Sequence, residues 1–198
     1  MAALGDTECC IKLRDKYGPR LVPAFDVMYA AAKAGKEDVC RLAMSWGCDD
    51  YIMMADAGAE NGHADICLLA ASYASSDDLW KVIWHRVVNI AASRGHCDVC
   101  RVARSQKGFV LDTNAMMALG AKNNQRAVCQ LAKDWGASDF DRMLSEAAAE
   151  NHPDLCLLAL NWGATDLKTM RFLGEFTGCK EILRLCEIWQ SGDVNQLV

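Results

Sequence analysis

A short amphipathic phrase occurs twice in this chain of 198 residues. The segment ENGHADICLLAASY, residues 60–73, returns as ENHPDLCLLALNW, residues 150–162. Each copy sets a cysteine among apolar residues and an aromatic residue six positions later. Recurrence of this kind predicts an array of small stacked units, because a single unit of that size cannot bury its own apolar side.

The cysteine of this phrase marks an anchor position in six units. The anchors follow one another at intervals of 27, 33, 29, 27 and 27 residues: Cys40, Cys67, Cys100, Cys129, Cys156 and Leu183. Ile11 fills the same position in an N-terminal partial unit. The anchor and the residues two, three and six positions later are apolar, small or aromatic in nearly every unit, which predicts the buried face of a helix. The aromatic residues at the last of these positions are Trp46, Tyr73, Trp135, Trp162 and Trp189, with Gln106 as the exception.

A second fixed position lies five residues before each anchor. It holds only glycine or asparagine: Gly35, Gly62, Gly95, Asn124, Asn151 and Gly178. These two residue types accept a positive φ readily, so we predict a left-handed residue that ends one helix and lets a second begin. Each unit is therefore predicted to be a helix, a sharp turn and a second helix. We also expect the imidazoles that follow the turn to hydrogen-bond backbone where two units join; they belong to His63, His96 and His152.

The charge and composition of the chain argue against several functional classes. A formal net charge of -5 and a pI near 5.3 are atypical of nucleic-acid-binding domains, which need a basic surface. No apolar run is long enough to span a membrane, and the N-terminal residues lack the pattern of a signal peptide. We therefore expect a soluble, cytoplasmic protein whose eleven cysteines are reduced thiols.

A family resemblance rests on the repeated phrase and on the ends of the units. The segment AGAENGHADICLLA, residues 57–70, closely resembles the ankyrin-repeat pattern, and the segments WGASD and WGATD are similar to its Gly-Ala-Asp ending. The resemblance covers the chain from about Met28 to Asp193. The threonine-proline-leucine-histidine start of the ankyrin repeat is absent, and most units have 27 residues instead of 33, so the finger turns are expected to be shortened. Short Trp-Gly-containing units with cysteines are similar to those of large cytoplasmic DNA viruses, including asfarviruses and iridoviruses.

The resemblance implies an all-α, ankyrin-like helical-hairpin solenoid of six to seven repeats. We predict a single domain over residues 1–198, with a capping partial repeat at 1–27, central repeats at 28–178 and a capping helix at 179–198. The implied function is a non-enzymatic protein-protein interaction module without a cofactor. A viral factor of this kind would bind a host signalling or ubiquitin-pathway protein in the host cytoplasm. The alternative is a structural or assembly protein that acts through self-association.

The residues seven and six positions before each anchor vary between units. By resemblance, they face the partner-binding groove of the array. The partner-binding candidates among them are Glu60, Asn61, Ser93, Arg94, Lys122, Asn123 and Glu150. The simpler interpretation is that these residues are solvated helix ends.

The third unit exceeds the 27-residue units by six residues, and the irregular stretch around them is Ser75–Ala92. Ser76 or Asp77 is predicted to cap a longer helix there. Trp80 and Trp84 lie one helical turn apart, outside the repeat pattern, and form a candidate partner-binding patch.

The alternative is that the two rings fill the gap left by Gln106, next to a second irregular stretch, Ser105–Met117. Phe109 of that stretch is expected to supply a further ring. Together the two irregular stretches are predicted to divide the array into a front and a rear half.

The segment HCDVC, residues 96–100, has the Cys-x-x-Cys spacing of a zinc half-site or a redox motif. Because Cys100 is also an anchor and no second pair follows at a suitable distance, we interpret the segment as structural and expect no metal. Anchor thiols should have raised pKa values, so the candidates for reactive surface thiols are the off-anchor ones: Cys9, Cys48, Cys97 and Cys179. No catalytic motif occurs, and we predict no enzymatic activity.

Overall fold

The computed structural model describes residues 7–191, and the parts of the predicted capping segments at 1–6 and 192–198 lie outside the described residues. The described chain is helical throughout, with no β-strand between residues 7 and 191, so the predicted all-α class is confirmed. The helices are α1 Thr7–Tyr17, α2 Ala24–Lys33, α3 Glu37–Ser45, α4 Tyr51–Glu60, α5 Ala64–Ser72, α6 Asp77–Arg94, α7 Cys97–Arg104, α8 Thr113–Lys122, α9 Arg126–Asp134, α10 Phe140–Ala149, α11 Pro153–Trp162, α12 Leu167–Thr177 and α13 Lys180–Ser191.

The chain divides into two compact units, residues 1–111 and 112–198, which we call the front unit and the rear unit. The boundary falls inside the second irregular stretch, where the sequence predicts a division into halves. Within each unit, consecutive helices pair as hairpins. The hairpins are α2–α3, α4–α5 and α6–α7 in the front unit and α8–α9, α10–α11 and α12–α13 in the rear unit.

Neighbouring hairpins pack on one another through equivalent helices. In the front unit, α2, α4 and α6 lie side by side, and α1, α3, α5 and α7 form a second layer. In the rear unit, α8, α10 and α12 lie side by side, and α11 packs on α13. Each hairpin therefore covers apolar surface that its neighbour would otherwise expose to water.

The turn inside each hairpin has the predicted left-handed residue. All six glycine or asparagine positions have a positive φ, from 57° at Asn124 to 86° at Gly95. A second left-handed glycine follows the Trp of the second helix in three hairpins, at Gly47, Gly136 and Gly163. The recurring Trp-Gly pair therefore ends the second helix in the same way as the Gly or Asn ends the first.

The first helices from α4 onward begin at a side-chain cap. Each capping oxygen accepts a hydrogen bond from the backbone N–H three residues later, and the caps are Asp50, Ser76, Asp112, Asp139 and Asp166. A cap of this kind satisfies one of the N–H groups that have no partner within the helix. The repeated Asp after Trp-Gly thus fixes where the next hairpin starts.

The five anchor cysteines are fully buried, as predicted. The residue before each anchor is equally buried: Val39, Ile66, Val99, Val128, Leu155 and Ile182. Three anchor thiols also donate to a carbonyl oxygen of the first helix of their own hairpin. These contacts run from Cys40 to Met28, from Cys67 to Ala55 and from Cys129 to Met117, with S–O distances of 3.9, 3.6 and 3.5 Å. Cysteine suits this position because it is a small apolar residue with a weak hydrogen-bond donor.

The two ends of the anchor series differ from the prediction. The side chain of Ile11 is 41% exposed, and Cys10 takes the buried place in α1. α1 packs on α3, and no first helix precedes it among residues 7–191. Leu183 in α13 is half-buried.

The aromatic position six residues after the anchor lies at the edge of the core, and its predicted place on the buried face is wrong. Trp46 and the other tryptophans at this position are half-buried, and Tyr73 is exposed. This position falls at the end of the second helix, where the chain turns away, so the rings pack on side chains of adjacent elements. The guanidinium of Arg14 lies 4.3 Å from the ring of Trp46, and Tyr73 stacks on Tyr51 at 5.4 Å.

Candidate functional site

The six extra residues of the third unit lengthen α6 to 18 residues, whereas the other first helices have 10 or 11. The hydroxyl of Ser76 caps α6 by accepting a hydrogen bond from the backbone N–H of Leu79 at 3.2 Å. This confirms one of the two predicted caps. The added turns of α6 carry Trp80, whereas Trp84 takes the position at which the other first helices begin, 16 residues before the anchor.

An aromatic cluster in the front unit joins the first irregular stretch to the beginning of the second. The ring of Trp80 meets the rings of Trp84 and Phe109 edge to face, at centroid distances of 6.4 and 6.3 Å. Phe109 also lies 5.0 Å from the ring of His85. Edge-to-face contacts at these distances are favourable for aromatic rings. Phe109 therefore supplies the ring that Gln106 does not, as the sequence predicts.

Trp84 is fully buried, so its predicted place on an exposed patch is wrong. It shares the buried face of α6 with Val87, Val88 and Ala91, and this periodicity carries its ring into the core. Its indole Nε1 is buried without a hydrogen-bond partner. The burial of Trp84 agrees instead with the alternative interpretation, in which its ring fills space in the core of the irregular unit.

A pocket of about 390 Å³ lies beside the half-buried ring of Trp80. We call it the Trp80 pocket, and it is lined by Ala74, Ser75, Ser76, Asp77, Trp80, Lys81, Lys107 and Gly108. Both irregular stretches contribute to its wall. The volume is in the range of pockets that take a small molecule or a few side chains, roughly 300–1,000 Å³.

The Trp80 pocket combines an aromatic wall with two lysines. The ammonium of Lys81 lies 4.0 Å from the carboxylate of Asp78 in an exposed pair, which is too weak to hold the lysine in place. Lys107 is exposed on the loop after α7. Asp77 adds one carboxylate at the start of α6. The pocket therefore suits an apolar or aromatic side chain that carries a neighbouring carboxylate.

The predicted groove residues lie at the ends of first helices and do not line the Trp80 pocket. Two ion pairs among them link neighbouring hairpins of the same unit. The guanidinium of Arg94 lies 2.5 Å from the carboxylate of Glu60, and the ammonium of Lys122 lies 4.0 Å from that of Glu150. Both pairs are substantially exposed, so they contribute little to stability and remain accessible.

The other three predicted groove residues bond to their own helices. The side chains of Asn61, Ser93 and Asn123 each donate to the carbonyl oxygen four residues earlier. These contacts are typical of solvated helix ends.

The three imidazoles bond across the joint between hairpins, as predicted. Their Nε2 atoms lie 3.0, 2.9 and 3.2 Å from the carbonyl oxygens of Lys33, Glu60 and Lys122, for His63, His96 and His152 respectively. In the HCDVC segment, burial raises the pKa of the Cys100 thiol to about 12. Among residues 7–191, no group of three or more His, Cys, Asp or Glu side chains is placed to hold a metal ion.

Cys48 is buried, which contradicts its prediction as a surface thiol, and burial raises its pKa. The backbone N–H of Cys48 donates to the carbonyl oxygen of Ala43 at 3.2 Å. Cys48 thus directly follows the left-handed Gly47 at the end of α3, a position whose side chain packs back on the helix. The thiols of Cys9, Cys97 and Cys179 are half-buried.

Sequence reasoning identified Trp80, and Ser76 as a helix cap, but missed Lys81, Lys107 and Ser75 as residues that line the pocket. The insertion in the third unit was the available signal, because residues that the repeat does not need are free to build a pocket. Neither protein-family models nor curated proteins give a match to this chain. Within residues 7–191, no helix has the length and apolar character to cross a membrane.

Proposed function

We propose that this protein is a non-enzymatic protein-binding module and that the Trp80 pocket holds part of its partner. The observation that carries the proposal is that the two stretches that depart from the repeat converge on one pocket. Both stretches are longer than their counterparts in the 27-residue units. Their joint result is a concave site with an aromatic wall, which is the kind of place where binding energy concentrates.

The side chains of the pocket define the partner we propose. Trp80 offers an aromatic surface for an apolar or aromatic side chain, and Lys81 and Lys107 offer charge for a carboxylate beside it. A peptide segment with an aromatic residue followed by acidic residues fits both. The ends of the first helices form a second contact surface of the proposal within each unit, with Glu60 and Arg94 in the front unit and Lys122 and Glu150 in the rear unit.

We further propose that the hairpins are ankyrin-like repeats of a viral factor that acts in the host cytoplasm on a signalling or ubiquitin-pathway protein. This rests on the resemblance of residues 57–70 and of the Trp-Gly ends to the ankyrin pattern. Two observations support the interpretation as repeats. Each hairpin turns at a left-handed residue, and a histidine bonds across three of the joints between hairpins.

The experiment is a selection of random peptides on the purified protein, followed by affinity measurements on variants. Selected peptides should share an aromatic residue next to acidic residues. The double variant Lys81→Glu and Lys107→Glu should weaken their binding by about tenfold or more.

A matched control, Lys16→Glu with Lys180→Glu, makes the same change in net charge outside the pocket and should leave affinity within about twofold. Peptides that bind the pocket variant and the control equally well would refute the pocket. A homodimer at micromolar concentration by light scattering, lost on changing the same lysines, would favour the self-association alternative instead.

A further inference from the structure

The second residue of the first helix lies 15 residues before the anchor in three hairpins, so these residues can be compared directly. They are Phe25 in α2, Asn114 in α8 and Asp141 in α10. Each of the three hairpins also ends in a Trp-Gly turn of the same length, which leads into the next first helix. The comparison therefore shows what one position does at the same corner of three hairpins.

In the rear unit, this position closes the corner between the start of the first helix and the Trp-Gly turn. The amide oxygen of Asn114 accepts hydrogen bonds from the backbone N–H groups of Ser138 and Asp139, at 2.9 and 3.1 Å. The carboxylate of Asp141 makes the equivalent pair of bonds to the turn before α12, at 2.6 and 2.9 Å. Each turn is thereby tied to the first helix of its own hairpin.

In the first hairpin, the same corner is open. Phe25 has no polar atom in its side chain, so it cannot accept from the backbone of the turn, and it is 47% exposed. A pocket of about 510 Å³ lies at this corner, and we call it the Phe25 pocket. Its wall includes Pro19, Pro23, Phe25, Trp46, Asp49 and Asp50. The pocket therefore lies where the rear hairpins have a hydrogen-bonded side chain.

The apolar part of the wall consists of two aromatic rings and two prolines. The half-buried ring of Trp46 already contacts one cation of the chain, because the guanidinium of Arg14 lies 4.3 Å from its centroid. Arg14 also donates to the carbonyl oxygen of Val22 at 3.4 Å and does not line the pocket. The contact shows that the indole of Trp46 accepts a guanidinium in this environment.

The polar part of the wall consists of two carboxylates. Asp49 is exposed, and its carboxylate makes no hydrogen bond or ion pair with any other residue between 7 and 191. One carboxylate oxygen of Asp50 accepts from the backbone N–H of Met53 at 2.9 Å. Burial raises the pKa of the Cys48 thiol in the wall, and the nearby carboxylates of Asp50 and Asp49 raise it further. Both negative charges therefore lie close to the wall.

No lysine, arginine or histidine lines the Phe25 pocket. Beside the wall, Arg14 and Arg20 bring two positive charges and Asp26 brings one negative charge. The pocket and its surroundings thus remain net negative. A cation is the ligand that complements this charge, and the two rings favour a cation with a flat, weakly hydrated surface.

We infer that the Phe25 pocket holds an arginine side chain of a partner protein. The guanidinium lies against the rings of Phe25 and Trp46 and donates to the carboxylate of Asp49. A guanidinium suits this site better than an ammonium, because it stacks on aromatic faces and offers paired N–H donors to a carboxylate. The inference rests on the proposed protein-binding function but not on the Trp80 pocket, whose lysines pair with a carboxylate.

The test uses two small probes, N-acetyl-arginine methylamide and its citrulline counterpart, which has nearly the same shape but no charge. NMR spectra of the isotope-labelled, full-length protein follow the indole N–H of Trp46 and the backbone N–H of Asp49. The arginine probe should shift both signals with a dissociation constant on the order of 1 mM. The citrulline probe should bind about tenfold more weakly. The indole signals of Trp135 and Trp162 are internal controls and should not shift, because the corners of their hairpins are closed.

Three variants check the parts of the site. Asp49→Asn should weaken the binding of the arginine probe about tenfold, because it removes a charged acceptor. Asp65→Asn makes the same change in net charge on α5, outside the pocket, and should leave the affinity within about twofold. Phe25→Asn introduces the residue that closes the corner of α8 and should abolish the binding. The signals of Trp135 and Trp162 show whether each variant is folded.

Equal binding of the two probes, equal shifts of the three tryptophan signals, or unaltered binding by Asp49→Asn would overturn the inference. Free arginine carries a carboxylate of its own and should bind no more tightly than the capped probe. Tighter binding of free arginine would assign the pocket to a small molecule and not to a partner protein.

The failure of this inference and the failure of the Trp80 pocket are distinguishable. The double variant Lys81→Glu with Lys107→Glu should leave the binding of the arginine probe within about twofold. Asp49→Asn should likewise leave unchanged the affinity for peptides selected through the Trp80 pocket.

Discussion

The imidazole of His96 lies against Gly62, in the space that a side chain at that glycine would need. A Cβ at Gly62 would come within 2.8 Å of Nδ1 of His96, while Nε2 of the same ring lies 2.9 Å from the carbonyl oxygen of Glu60. The relationship between His63 and Gly35 is the same, with a distance of 2.7 Å. The glycine therefore serves two purposes: it adopts a positive φ, and it leaves room for the histidine that closes the joint to the next hairpin.

Gly62→Ala should destabilise the protein more than Gly47→Ala. Both glycines have a positive φ, of 79° and 91°, so both substitutions cost about 1–2 kcal/mol of backbone strain. Only at Gly62 does the new methyl group meet another side chain, which adds about 1–3 kcal/mol. The free energies of unfolding come from urea titration.

The double variant Gly62→Ala with His96→Ala checks the cause. Without the imidazole, the Gly62→Ala substitution should lose only the free energy of unfolding that comes from backbone strain, because the steric clash is gone. If the two substitutions were simply additive, the close packing of His96 on Gly62 would have no energetic role.

The stability of the protein should fall as the pH rises above about 9. Burial raises the pKa of the five anchor thiols, Cys40, Cys67, Cys100, Cys129 and Cys156, from 9.0 to about 12. Because the pKa is higher in the folded chain, these groups cost no stability below pH 9. Between pH 9 and about 12 the unfolded chain releases protons that the folded chain retains, so the free energy of unfolding declines.

Cys129→Ala isolates one thiol. Its removal should make the decline of the unfolding free energy shallower by about 1.4 kcal/mol per pH unit between those limits. Urea titrations of the wild type and the variant at several pH values give the two slopes. Identical slopes would mean that Cys129 ionises as easily in the folded protein as in the unfolded chain.

Trp84→Ala should cost far more stability than Trp80→Ala, although the two residues lie one helical turn apart. Trp84 is fully buried, and truncating a buried aromatic residue costs about 3–5 kcal/mol. Trp80 is half-buried at the rim of its pocket, and we expect a loss of about 1–2 kcal/mol. Unfolding followed by circular dichroism measures both, and equal losses would contradict the burial of Trp84.

The left-handed turns could be predicted because their chemistry is local. The cross-joint histidines contact carbonyl oxygens 30 or 36 residues earlier, and the signal that predicted them is their recurrence beside the turn. A positive φ restricts a position to glycine or asparagine whatever surrounds it, so the six residues stand out in the sequence. The burial of the anchor cysteines could be predicted because periodic apolar positions identify the face of a helix that is withdrawn from water.

The candidate site could be predicted only in part. Trp80 and Phe109 stood out because they lie outside the repeat, but spacing alone does not tell which side of α6 is covered. The buried face of α6 is set by its neighbours α4, α5 and α7, and these place Trp84 inside and Trp80 at the rim. The lysines of the pocket lie 26 residues apart and had no signal linking them.

By itself the sequence determined the helical class, the hairpin as the repeating element, the residues that turn the chain and the thiols that are withdrawn from water. Each of these follows from backbone sterics or from the periodicity of apolar residues, which act within one or two helical turns. Only the tertiary structure decided which rings are accessible and how two distant stretches enclose a pocket. It also decided that α12 presents Phe172 and Phe176 to solvent. Those outcomes depend on which helix faces are covered by neighbours, and a neighbour is a property of the packed chain.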